Sequence, residues 1–176
     1  MADISKLTVA AGSTVTFGGV DLGHTVDGAE IEIEREFTDV TADMYGTTPI
    51  DMVLTGQRAT VTLKLAEIKA GSMNVVMPEN DYDIGAAFAD HTHFGTKAGY
   101  SLRDDAAELV ISPTGNNAGN DLDITLFKAV STGNATLAYK IDEQSVFEVT
   151  FTALVDESRG DTDGRYLGRY GRTAIS

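Results

Sequence analysis

Cysteine and tryptophan are absent from this chain of 176 residues, which removes disulfide staples, thiolate metal sites and a cysteine nucleophile together. Stability must therefore come from burial, and at 42% hydrophobic residues one domain of this length can bury a sufficient core. No run of eighteen apolar residues occurs, and the N-terminal MADISKLTVAAGSTVTF has no basic region followed by an apolar one. Neither membrane insertion nor a secretory leader is expected. Aromatic residues make up 7% of the chain, few for an aromatic-lined binding site. Cations are scarce as well: 13 Lys+Arg stand against 27 Asp+Glu, a formal charge of −14. That balance opposes nucleic-acid binding, which uses clustered cations that release counterions from phosphates.

The charge is unevenly spread. Residues 158–176 hold Arg159, Arg165, Arg169 and Arg172 against Asp161 and Asp163, a net of +2, which leaves −16 for residues 1–157. The chain is read as a β domain over 1–157 followed by a basic C-terminal arm over 158–176, suited to contact an acidic body in another copy. A solvated terminus is the alternative.

Hydrophobic periodicity then divides the chain. Thr14 to Phe17 is a short β-prone run closed by Gly18-Gly19. From Ala29 to Phe37, Ala29, Ile31, Ile33 and Phe37 alternate with Glu30, Glu32, Glu34 and Glu36, which places four carboxylates on one face of a strand and leaves Arg35 on the other. Thr38 to Asp51 is aperiodic and predicts a long loop, a length that is usually functional. Arg58 to Leu65 alternates again. The period lengthens from Ala66 to Met77, ahead of Pro78, and predicts a helix. Pro78 to Arg103 carries no assignable pattern. A short strand, Ala107 to Ile111, precedes a Gly/Asn loop from Pro113 to Asn120. Leu122 to Val130, Leu137 to Ile141 and Ser145 to Val155 are strands at hairpin spacing. Beyond Asp156 the sequence is aperiodic. The fold class is mainly β: a β-sandwich or partly open barrel with one flanking α-helix.

Chemical motifs are thin. Asp90-His91-Thr92-His93 would aim two imidazoles to one side of a strand, but a zinc site needs further ligands that the sequence does not offer nearby. No serine sits in a nucleophile elbow. Asp161-Thr162-Asp163-Gly164 begins like a calcium loop, and the later ligand positions are wrong. We expect no catalytic residues, no metal, no cofactor and no enzyme activity. The glutamate row is the feature that asks for a reason, because four like charges in line repel one another.

From Leu22 to Glu67, LGHTVDGAEIEIEREFTDVTADMYGTTPIDMVLTGQRATVTLKLAE, the sequence resembles the tail tube (major tail) proteins of long-tailed bacteriophages. The resemblance lies in a Thr-x-Asp-Gly approach, a charged strand, an Asp-rich loop with Gly46, Pro49 and Asp51, a Leu-Thr-Gly turn, and a Thr/Val strand ending in Ala-Glu. It covers about a quarter of the chain. It implies a structural virion protein of the tail, assembled in the cytoplasm of the bacterial host. Hexameric rings would join their sheets into a continuous inner β-barrel, and the rings would stack into a helical tube. The implied partners are other copies of the chain, a tape-measure protein, a tail terminator and tail-tip or baseplate proteins, with DNA passing during genome ejection without specific binding. By the same resemblance the segment containing Thr38, Asp39, Asp43, Met44, Tyr45, Gly46, Pro49 and Asp51 corresponds to a loop that reaches the neighbouring ring. Glu30, Glu32, Glu34, Glu36 and Glu148 are the candidates for an acidic lumen lining. Alternation leaves open which polar face turns inward. Two other classes remain: a tube subunit of a contractile tail or secretion system, and a β-sandwich decoration or binding module.

Overall fold

The computed structural model describes residues 9–66, 70–83, 91–95, 97–116, 122–134, 136–137, 145–159 and 166–171. These form ten strands and one α-helix: β1 (Val9–Phe17), β2 (Val20–Val40), β3 (Asp51–Leu65), α1 (Ala70–Val76), β4 (Asp81–Asp83), β5 (His91–His93), β6 (Ala107–Asn116), β7 (Ile124–Ser131), β8 (Thr136–Leu137), β9 (Phe147–Ala153) and β10 (Gly168–Tyr170). The chain is mainly β, as its alternation requires.

Eight strands share one sheet in the order β10-β7-β6-β1-β2-β3-β9-β8, and β7 also pairs with β9. That extra pairing closes β1, β2, β3, β9, β7 and β6 into a ring of hydrogen-bonded strands, every pair antiparallel. Side chains alternating inward from the ring make the core. Val15 and Phe17 meet Val61, Leu63 and Leu65 of β3, Leu109 and Ile111 of β6, Leu126 and Ala129 of β7, and Phe147, Val149, Phe151 and Ala153 of β9. Phe17 and Phe151 touch with ring centroids 5.0 Å apart. The helix adds the buried Val76, with Met73, Val75 and, just after the helix, Met77 against the same core. No described helix is long and apolar enough to cross a membrane.

Several boundaries differ from the sequence expectation for one reason: a strand is extended by its partner, not by its own pattern. β1 begins at Val9 because Val9 to Phe17 pair with Asn116 to Leu109. The same ladder carries Pro113 to Asn116, expected in a loop, as the end of β6. The turn at Gly18 and Gly19 is as expected, both with positive φ (58° and 79°). Within the unassigned stretch, β4 and β5 form a separate two-stranded sheet. Residues 67–69 of the expected helix and 138–141 of the expected strand lie outside the described residues.

Candidate assembly surface

The site is the β2–β3 hairpin, the longest element pair of the molecule. Its base belongs to the ring, where β3 pairs with β9 from Leu65 to Thr60. β1 reaches β2 only between Val20 and His24. Past these points the two strands run on together to Val40 and Asp51 with no other strand beside them among the described residues. From Glu32 to Val40 that is roughly 25 Å of free ribbon at the usual rise. Its outer backbone groups on both sides lack ladder partners, the condition that makes a strand edge a template for another chain.

Two bulges set which side chains share a face. At the base, Val26 pairs with Lys64 and Ala29 with Leu63, so Asp27 and Gly28 are extra residues on β2. Both hold left-handed φ, 62° and 78°, which Asp tolerates and Gly adopts freely. This explains the Thr-x-Asp-Gly pattern. Two inserted residues leave the parity intact, so Ala29 and Ile31 still point to the core side. Farther out, Glu36 pairs with Gly56 while Phe37 pairs with Leu54. The expected Leu-Thr-Gly turn is therefore not a turn. It is a bulge within a continuous strand, with Thr55 the single extra residue. One extra residue exchanges the faces of everything beyond it, and so Leu54 and Met52 join Ile33 and Phe37 on one face and not the glutamates on the other.

The glutamate face is coherent. Glu30, Glu32, Glu34 and Glu36 are all exposed and lie opposite Thr62, Thr60, Arg58 and Gly56. The Glu36 carboxylate folds over Gly56, where an added Cβ would sit 3.4 Å from its Oε2. Across β3 the same face continues onto β9 as Thr152, Thr150 and Glu148. The structure thus places Glu148 and the four hairpin glutamates on one surface, the outside of the strand ring. Alternation puts Thr60, Thr62 and Lys64 on one side of β3; their continuation as Thr150 and Thr152 of β9 comes only from the register of the two strands. Thr62 and Thr150 hydroxyls are 3.4 Å apart, and those of Thr132 and Thr152 hydrogen-bond at 2.6 Å. Lys64 is the base-proximal cation of this face, with Nζ 3.2 Å from the Asp27 carboxylate.

The opposite face of the free ribbon carries exposed apolar side chains, interrupted by the Arg35–Gln57 pair and by Asp39. Ile33 is 60% exposed, Phe37 46%, Leu54 47% and Met52 58%. Arg35 lies over the Phe37 ring at 5.6 Å.

The expected long loop is shorter than the sequence suggests. Thr38 and Asp39 belong to β2 and Asp51 to β3, because cross-strand bonding extends both past the loss of alternation. The remaining tip is ordered by a 3-10 turn at Asp43–Tyr45, by Gly46 at φ 62°, and by the Ile50 N–H donating to the Val40 carbonyl at 2.8 Å. Met44, Tyr45 and Ile50 are exposed there, beside Asp43 and Pro49.

The segment after β9 also departs from expectation. The aperiodic run contains β10, which pairs with β7 through Gly168–Leu126, Arg169–Thr125 and Tyr170–Ile124. Arg159 packs 3.6 Å from the centroid of the Phe127 ring and its Nε donates to Asp156 at 3.0 Å. Arg169 lies 5.9 Å from the same ring. Two of the four arm arginines are therefore committed to the chain's own body. Arg165 and Arg172 lie outside the described residues. The Ser158 hydroxyl donates to Asp156 at 2.7 Å. That bond, with the Ser158 N–H and Arg159, holds the Asp156 carboxyl below its ordinary value. Between β10 and the free edge of β3 lies a groove of about 810 Å³, lined by Ile31, Ile33, Leu54, Leu126, Leu167 and Tyr170 among others.

His91 and His93 share one side of β5, as their spacing predicts, with ring centroids 4.7 Å apart; Asp90 lies outside the described residues, and among those no group of three metal-binding side chains forms.

No protein-family model matches the chain, and no curated protein matches it. Solved structures do. In fold, the chain is similar to a tube-terminating cap. The cap is that of the anti-feeding prophage, determined by electron cryomicroscopy, with a TM-score of 0.54 and 13% sequence identity over 86% of this chain and 91% of that one. At that identity the likeness concerns the fold.

Proposed function

We propose that this chain is a non-enzymatic structural subunit of a phage-tail-like tube, assembling with other copies of itself into rings. The observation that carries the reading is the free β2–β3 ribbon, which among the described residues has two edges without a partner strand, one face rich in exposed apolar side chains and one carboxylate face. A monomer gains nothing from such an element, since its edges and its apolar face are left in water. A ring uses all three features: edges pair between neighbours, the apolar face is buried, and the carboxylate face lines a bore that repels phosphate. The likeness in fold to a tube-terminating cap supports the same reading. Tape-measure, terminator and tip proteins would then be its partners, and the virion its location.

That likeness also favours a second, narrower reading, a terminating ring at the end of the tube in place of the tube wall. Electron microscopy of the purified protein over a concentration series tests both. Long hollow tubes are expected for a wall subunit, single rings or short finite stacks for a cap. Monomers at every concentration and salt would refute assembly altogether.

A further inference from the structure

β4 and β5 form a sheet of their own, three residues to a strand, with no third strand beside them among the described residues. A ladder that short does not hold itself together in water. Its register pairs Asp81 with His93, Tyr82 with Thr92 and Asp83 with His91. Directly opposed residues share a face, and so do residues two apart on one strand, so two aspartates and two histidines hold four adjoining positions on one side while Tyr82 and Thr92 take the other. The carboxylates that the His91-Thr92-His93 run needs are thus brought to it across the ladder. The imidazoles stand at a suitable separation, with ring centroids 4.7 Å apart. Two imidazoles bonded to one tetrahedral ion at about 2 Å hold their ring centres roughly 5 Å apart. His91 is half-buried and His93 exposed, so an ion reaches them from solvent.

We infer that this face of the β4–β5 sheet binds one divalent transition-metal ion of the Zn²⁺ type, with nitrogen from His91 and His93 and oxygen from Asp81 and Asp83. Imidazole nitrogen favours such an ion over Mg²⁺ and Ca²⁺, which take oxygen ligands. Two carboxylates also offset its charge. Four protein ligands leave no open coordination position, which makes the ion structural and not catalytic. Its part is to clamp β4 to β5, a task for which a chain without cysteine has no disulfide. The inference stands apart from the assembly reading and survives or fails without it.

Calorimetric titration of the tag-free full chain with zinc chloride tests this. The wild type should bind one Zn²⁺ per chain, and excess Mg²⁺ should not displace it. The sequence has three histidines, and the third, the exposed His24 of β2, is the internal control: His24→Gln should bind as the wild type does. His91→Gln, His93→Gln, Asp81→Asn and Asp83→Asn should each weaken binding by more than the roughly tenfold that loss of even an outer-shell partner costs, with the β circular dichroism unchanged. Zinc should slow amide exchange in both strands of the wild type and leave it unaltered in His93→Gln, a substitution at an exposed side chain. Binding that survives either histidine substitution would place the ion elsewhere on the acidic surface. Binding lost with the histidines and kept by both aspartate variants would reduce the site to a chelate on one strand and overturn the cross-strand ligand set. No binding, or binding without slower exchange, would overturn the clamp.

Discussion

Replacing Ile33, Phe37 and Leu54 together by serine separates what the free ribbon does for the monomer from what it does for an assembly. The three side chains are 60%, 46% and 47% exposed, so the unassociated chain already buries about half of each, and the triple variant should unfold at most about 3 kcal/mol below wild type. If a neighbour covers them, the area removed from water amounts to about one and a half side chains. At ~2 kcal/mol for a fully buried large apolar side chain this is worth about 3 kcal/mol per contact. Association should fall by about a hundredfold. Phe151→Ala provides the contrast, because Phe151 is fully buried against Phe17 and its loss should cost about 3–5 kcal/mol. Urea unfolding of dilute protein reads the first quantity, and a sedimentation-velocity concentration series the second. A triple variant destabilised well beyond about 3 kcal/mol would mean that the ribbon is packed within its own chain more fully than its exposure allows. One that associates as wild type does would mean that the apolar face is not an interface.

Exchanging Glu30, Glu32 and Glu34 for lysine should leave the β circular dichroism intact while conferring DNA binding that salt abolishes, read by gel shift at low and high ionic strength; the glutamine triple should show none, and failure of the lysine form to retain DNA would refute the lumen assignment. Gly168→Ala places a Cβ 2.4 Å from the Thr125 carbonyl oxygen, so β10 must shift, at a cost of about 1–3 kcal/mol, with faster amide exchange at Phe127, whose N–H donates to the Leu167 carbonyl. Asp156 titrates below its ordinary value in the folded chain, so its contribution is complete above the unfolded carboxyl pKa of about 4 and disappears as pH falls through the folded one. Asp156→Asn should therefore narrow the stability gap between pH 6 and pH 2, and equal pH profiles for the two proteins would remove that role.

The sequence by itself determined the fold class and the two faces of β2, because a period of two with glutamate at every other position admits only one arrangement on a pleated strand. It also located the helix before Pro78, the Gly18-Gly19 turn, and the candidate carboxylates, since these depend on local backbone preferences. Tertiary structure decided everything that depends on a partner strand. Thr38, Asp39 and Asp51 read as loop because they break alternation, yet cross-strand bonds hold them in β2 and β3. Leu54-Thr55-Gly56 read as a turn, since nothing in three residues distinguishes a turn from a bulge until the register of the opposite strand is known. Glu148 joined the hairpin glutamates through the β3–β9 ladder, a pairing between residues more than eighty positions apart. Gly168 to Tyr170 is too short to show a period, and its strand exists because β7 offers it an open edge. Local chemistry fixes what each segment can be, and long-range hydrogen bonding chooses among the possibilities.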